Sequence, residues 1–263
     1  MYRAENYVLA TSVAQAEELL LSDPKNSILG GGMWLRLGQA RYHTVIDISR
    51  LGLDYIREEE KYIELGAMTT LRQMETHPLL RELYGGVLPR CLAPIVGVPF
   101  RNTATVGGTV FGQYAFSDIL TVLLALDARV LLNRGGEVAL ASFLALPRGT
   151  DILLAVRLPK DGRRAVFETQ RLTRTDFGIL SLCAAALPNG EWRLSIGNRP
   201  ARALRCEAAE RYLAAGEPEL AAQAARELPY ASSSRGSAEY RRALAGVFTR
   251  RAWETLAQKE VTP

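Results

Sequence analysis

Pro99–Ala128 reads PFRNTATVGGTVFGQYAFSDILTVLLALDA and holds a turn, a glycine pair and an apolar helix in one block. The segment Arg101–Thr109 is short of large side chains and rich in hydroxyls. Adjacent Gly107 and Gly108 let a backbone approach a ligand closely, because no Cβ stands in the way. Exposed N–H groups in such a turn form a concave anion site. A plain turn between two core elements fits the same two glycines. Asp118 precedes the apolar run Ile119–Leu126, as an N-cap or a hydroxyl-binding carboxylate would.

A second glycine stretch lies upstream. Ser27–Leu29 reads as a short strand that enters Gly30-Gly31-Gly32, and Met33–Gly38 as a helical turn after it. A strand, then glycines, then a helix start aims N–H groups at a phosphate. The spaced GxGxxG fingerprint of dinucleotide-binding βαβ units is missing. Ser12 and Gln15 fit a capping box for a helix through Leu21, which Ser22-Asp23-Pro24 stops. With the β-branched strand Thr44–Ile48, the first 52 residues make a small α/β unit.

Tyr55–Arg57 and Tyr62–Leu65 read as a hairpin around a solvated Glu58–Lys61 turn. Thr70 caps a helix through Glu75, Pro78 opens another that ends near Gly85-Gly86, and Val87–Val96 is helical in pattern. Beyond the central block, Ala128–Leu132 and Glu137–Leu140 pair across Asn133–Gly136. Ala141–Leu144 is a short helical turn, and Ile152–Leu158 a strand that ends at a boundary near Pro159–Gly162. Three strands follow, Arg164–Arg171, Gly178–Leu187 and Glu191–Ile196. Ala203–Ala215, Glu217–Leu228 and Ser237–Ala257 are helical. A meander followed by helices is an α+β arrangement.

Composition narrows the function. The chain has 263 residues, 48% hydrophobic and 23% charged, with a net charge of +4. That is ordinary for a globular protein of one large or two smaller domains. No basic run or aromatic-basic stripe points to nucleic acid. No apolar stretch is long enough to span a bilayer, and the N-terminus lacks the apolar core of a signal peptide. The expected location is the cytoplasm, or outside it after export as part of a folded complex. Cys91, Cys183 and Cys206 are scattered, with no CxxC, and fall short of the four thiolates that hold an iron–sulfur cluster. His43 and His77 lack metal-ligand spacing, so no metal site is expected. No acid–base dyad or nucleophile stands out as catalytic.

The glycine stretches carry a family resemblance. RNTATVGG followed by Ser117-Asp118 and LLALDA resembles the second FAD-binding signature of the flavoprotein (medium) subunits of molybdenum hydroxylases. These are the subunits of the xanthine dehydrogenase and carbon monoxide dehydrogenase type. Ser27–Leu35 resembles the first signature, a small-residue turn usually written A-G-G-T/S/Q-x-L. Thr44–Ile48 and Ile63–Thr70 match the VIDI and IGAxTT segments, and Arg235–Arg242 resembles RxSxxYR near the family's C-terminus. The match runs in order over nearly the whole chain.

The resemblance implies an α+β fold: a two-subdomain FAD-binding domain of the PCMH type, then a smaller α+β domain with a three-stranded antiparallel sheet and helices. The corresponding ranges are 1–160, with subdomains of about 1–52 and 53–160, and 161–263. It implies that Gly30, Gly31, Gly32, Met33 and Trp34 form one wall of the FAD pyrophosphate site. Thr105, Val106, Gly107, Gly108 and Thr109 form the other, mostly through backbone N–H groups. A Cβ at Gly31 or Gly107 is then expected to fill the pyrophosphate's space. Asp118 matches an aspartate that bonds ribityl hydroxyls, and Leu153 and Ile95 fall near the flavin ring. Arg171 and Arg174 are candidates for a basic residue in the second domain. The family has Thr, Ser or Gln where this chain has Met33, a polar residue at Trp34 and Asn at Thr109. A lost hydroxyl at Met33 weakens FAD by about 1.5–3 kcal/mol if that hydroxyl bonds the pyrophosphate.

The implied function is an electron-transfer subunit. Iron–sulfur clusters and molybdopterin sit on partner subunits, and FAD passes electrons to NAD, quinone or oxygen. Two alternatives are a structural subunit of the same fold that has lost FAD and a free-standing flavin reductase.

Overall fold

The computed structural model describes residues 2–147 and 149–257. Its first elements are β1 (Arg3–Leu9), α1 (Val13–Ser22), β2 (Ser27–Leu29), β3 (Arg41–Asp47), β4 (Ile56–Glu58), β5 (Tyr62–Gly66) and α2 (Leu71–Thr76). Then come α3 (Pro78–Glu82), α4 (Val87–Leu92), α5 (Val98–Arg101), α6 (Val106–Gly112) and α7 (Asp118–Ala125). β6 (Arg129–Leu132), β7 (Gly136–Ala139), α8 (Leu140–Ala145) and β8 (Leu153–Pro159) follow. The last are β9 (Arg164–Gln170), β10 (Leu180–Ala186), β11 (Trp192–Gly197), β12 (Leu204–Arg205), α9 (Glu207–Ala214), α10 (Pro218–Arg226) and α11 (Ala238–Ala257). Two compact units divide the described residues. One draws on Met1–Met74, Val98–Gly112 and Arg129–Leu158, the other on Glu75–Gly97, Gln113–Ala128 and Pro159–Pro263.

The first unit contains two sheets. Three parallel strands run in the order β1-β3-β2, with Val8 opposite Ile46 and Leu29 opposite Asp47. The capping box at α1 forms: Ser12 Oγ accepts from the Gln15 N–H at 3.1 Å, and Gln15 Oε1 accepts from the Thr11 N–H at 2.7 Å. Ala16 and Leu20 of that helix join Ile46, Ile48, Leu53 and Ile152 in a core. The sequence pattern does not reveal β1. Its residues Arg3–Tyr7 are exposed, so main-chain pairing with β3 orders it rather than burial of side chains. The helical turn expected over Met33–Gly38 shrinks to a 3-10 turn at Leu35–Leu37. The second sheet has the order β4-β5-β8-β6-β7. Both hairpins in it, β4–β5 and β6–β7, are antiparallel as their turns predict.

The second unit is a sheet with helices on its two faces. Its order is β12-β11-β10-β9, all antiparallel. Four strands stand where three were expected. Leu204–Arg205 pairs with β11, so the helix read over Ala203–Ala215 begins only at Glu207. Alternation sorts the faces. Leu180, Leu182, Ala184, Leu194 and Ile196 pack in one core with Leu213, Ala221, Phe248 and Ala252 of α9–α11. Small residues line the other face and admit α7. The Ser195 hydroxyl donates to the Thr121 carbonyl, and a Cβ on Gly197 would lie 2.0 Å from Thr121 Oγ1. Every residue of α7 is buried, which explains its uninterrupted apolar run.

Candidate functional site

The two glycine stretches meet in the first unit. A Cβ built on Gly30 would lie 3.0 Å from Thr105 Oγ1 and 3.7 Å from the Gly108 Cα. A Cβ on Gly31 would lie 1.8 Å from the Thr103 carbonyl oxygen, so the chain itself fills that space. At Gly107 the Ala67 carbonyl oxygen stands at 2.6 Å. The expectation that a Cβ at Gly31 or Gly107 would fill the pyrophosphate's space is therefore corrected: it would meet the chain's own backbone first. Both glycines are close-contact positions against backbone.

Gly107 and Gly108 do not form a turn. They lie in the first turn of α6, which begins at Val106. Their N–H groups have partners within the chain: Val106 donates to Thr69 O and Gly107 to Ala67 O, both at 2.9 Å. Gly108 donates to Thr105 Oγ1 at 3.1 Å, and Thr109 to Thr105 O at 3.0 Å. Gly107 is buried and Gly108 exposed.

The upstream stretch is arranged the other way. Directly after β2, the N–H groups of Gly31, Gly32 and Met33 find no acceptor among the described residues. Gly32 has φ +67°, a left-handed conformation open to glycine. Successive free N–H groups around such a residue make an anion-binding concavity. The donor set suits the pyrophosphate of FAD. Met33 turns its side chain into the protein, at 9% exposure, while Trp34 packs edge-to-face on Phe100 with ring centroids 5.4 Å apart. Leu153 is buried at the start of β8, opposite Leu132.

Asp118 belongs to the second unit. It is not the N-cap of α7. Ser117 takes that place, its Oγ accepting from the Leu120 N–H at 3.2 Å. The Asp118 side chain is drawn elsewhere: Arg171 Nη2 donates to Oδ2, and Asn198 Nδ2 donates to Oδ1 at 2.8 Å. Burial pushes the Asp118 carboxyl up, against the opposing pull of Arg171. Beside this cluster Phe116 packs on Phe177 at 4.6 Å, and Arg235 lies over the Phe177 ring. Of the two basic candidates, Arg171 reaches Asp118 and Arg174 is exposed. Sequence reasoning did not reach Asn198. Its signal is an asparagine before Arg-Pro at the end of a strand, a residue that tolerates the left-handed φ of +56° found there.

The three cysteines are buried and free, and burial pushes the Cys91 and Cys183 thiols up, away from the thiolate form that binds metal. No group of three metal-ligating side chains occurs among the described residues. No helix among them is long and apolar enough to cross a membrane.

Residues 2–161 match the family described as "FAD binding domain in molybdopterin dehydrogenase". The chain belongs to that family. Residues 174–256 match "CO dehydrogenase flavoprotein C-terminal domain". The chain is 29% identical over 252 residues to the "Uncharacterized protein YgfM" of Escherichia coli K12, covering 92% of this chain and 93% of that protein. It is 26% identical over 233 residues to the "Putative xanthine dehydrogenase FAD-binding subunit XdhB" of the same strain, covering 80% and 79%. Among solved structures, a carbon monoxide dehydrogenase chain from Hydrogenophaga pseudoflava matches with a TM-score of 0.86 and 25% identity, over 96% of this chain and 97% of that one. The chain is thus an FAD-binding subunit of the molybdenum hydroxylase family, and a flavoprotein oxidoreductase subunit of the xanthine and CO dehydrogenase type.

Proposed function

We propose that this subunit relays electrons from iron–sulfur clusters on a small partner to an acceptor, while substrate is oxidised at a molybdopterin centre on a large partner. The acceptor is NAD, quinone or oxygen. The observation that carries the cofactor assignment is the run of three unmet N–H groups at Gly31, Gly32 and Met33. In this reading they bind the pyrophosphate, with Gly30, Trp34 and the Thr105–Thr109 segment shaping its surroundings. Asp118 accepts from polyol hydroxyls, and Leu153 and Ile95 cover the ring. When bound, FAD supplies the redox chemistry, and the protein supplies position and electrostatics.

The test is recovery of the chain from its native host. The expected result is a yellow complex that contains a cysteine-rich small subunit and a molybdopterin subunit, with flavin bleached by the large subunit's substrate. Recovery of this chain alone, oxidising NADH by itself, overturns the relay. A colourless chain that gains no flavin on titration overturns the cofactor assignment.

A further inference from the structure

Asp118, Arg171, Asn198 and Ser181 form a buried polar cluster that folding alone does not require. A buried ion pair replaced by apolar side chains of similar volume is often neutral or stabilising. Here the chain keeps the pair and adds strain around it. Asn198 holds φ +56°. Gly178 is confined to glycine, since a Cβ there would lie 2.7 Å from Asn198 Nδ2. Arg171 Nε and Asn198 Oδ1 are buried without a hydrogen-bond partner. The Arg171 side chain is 9% exposed and Asn198 4%. Unmet buried polar atoms are unfavourable, and strained residues of this kind cluster where ligands bind.

We propose that Arg171 and Asn198 are positioning residues that hold Asp118 as a fixed acceptor for the hydroxyls of the flavin's polyol chain. This rests on the flavin reading above. An ionised carboxylate offers about four lone-pair sites. Arg171 occupies one on Oδ2, Asn198 one on Oδ1, and the Ser181 hydroxyl a third. Donors on both oxygens fix the plane of the group and leave its remaining lone-pair site for a ligand. The guanidinium also offsets the burial that favours the neutral acid, which would accept less well. Asn198 is fixed in turn. Its side-chain amide donates to Ser181 Oγ at 2.5 Å, and its main-chain carbonyl accepts from Arg241 Nε at 3.3 Å. Arg241 also binds the carbonyls of Ile179, Ala231 and Gly236, so three chain segments are registered behind the asparagine.

The experiment titrates apo-protein with FAD and, separately, with ADP, which carries the pyrophosphate but neither polyol nor flavin ring. Arg171→Met and Asn198→Ala are expected to lose at least about tenfold in FAD affinity, the effect of one hydrogen bond to a charged group, and less than about threefold in ADP affinity. Arg171→Lys is expected to recover most of the loss. Melting temperatures of the apo-proteins are not expected to follow the FAD losses. Equal losses for FAD and ADP, losses that track melting temperature, or unchanged FAD affinity each overturn the proposal. If Arg171→Met does not fold, Asn198→Ala and Arg171→Lys carry the same test. Wild-type protein that binds neither ligand sinks the flavin reading itself. Wild-type protein that binds FAD no more tightly than its Arg171 and Asn198 variants sinks only this inference.

Discussion

The Gly30–Met33 stretch and the Thr105–Thr109 stretch share a residue type and differ in where their N–H groups go. In the first, three consecutive donors have no acceptor among the described residues. In the second, the donors of Val106, Gly107, Gly108 and Thr109 are all satisfied by the chain. In the flavin reading proposed above, the first stretch receives the anion and the second supports it from behind. Thr105 joins them, its Oγ1 lying under both Gly30 and Gly108. Two glycine motifs that look alike as sequence therefore do different work.

The largest effect that sharpens this contrast is structural. Gly31→Ala would force a methyl to 1.8 Å from the Thr103 carbonyl oxygen, and Gly107→Ala to 2.6 Å from that of Ala67. Neither obstacle is a flexible side-chain end. Gly31→Ala is expected to lose at least about 3 kcal/mol of stability and Gly107→Ala about 2–3, at or beyond the upper range for overpacking. Denaturant unfolding of the apo-proteins measures both. A Gly31→Ala variant as stable as wild type would mean that the stretches do not meet as described.

Much of this organisation was legible in the sequence. Caps, hairpin turns and alternating strands depend on neighbours in the chain, so Ser12, Thr70 and Asn133–Gly136 can be read without a structure. β1 could not, because an exposed edge strand carries no burial pattern. The helix over Gly107 was hidden by its glycines, which are poor helix formers; Gly107 is there for its contact with Ala67. The glycines of the site were legible by type. Which N–H groups stay free was not, since that depends on partners such as Thr69 and Ala67. Asn198 lies 80 residues from Asp118, and no local pattern links them.

Met33 gives a smaller effect. The sequence contrast with a hydroxyl residue predicts that Met33→Thr tightens FAD. The structure places the side chain at 9% exposure, while the N–H stays unmet. Met33→Thr is therefore expected to lower apo stability by about 1–3 kcal/mol through lost packing. FAD affinity should change little, because the donor is main chain. A tighter complex at unchanged stability would return the side chain to the ligand's side of the stretch.

Thr105→Val is the smallest and most discriminating change. Valine keeps the shape and removes Oγ1, the acceptor for the Gly108 N–H. Loss of one internal hydrogen bond is worth about 1 kcal/mol, and Thr105 is 3% exposed, so little water replaces it. If the second stretch supports the first only from within, apo stability falls by that amount and FAD affinity moves by less than about threefold, since no donor to the ligand is removed. If the Thr105 hydroxyl itself contacts the cofactor, affinity falls by about tenfold or more at nearly constant stability. Calorimetry with FAD beside thermal melting of the apo-protein separates the two, and a loss of affinity alone would make both stretches ligand-facing.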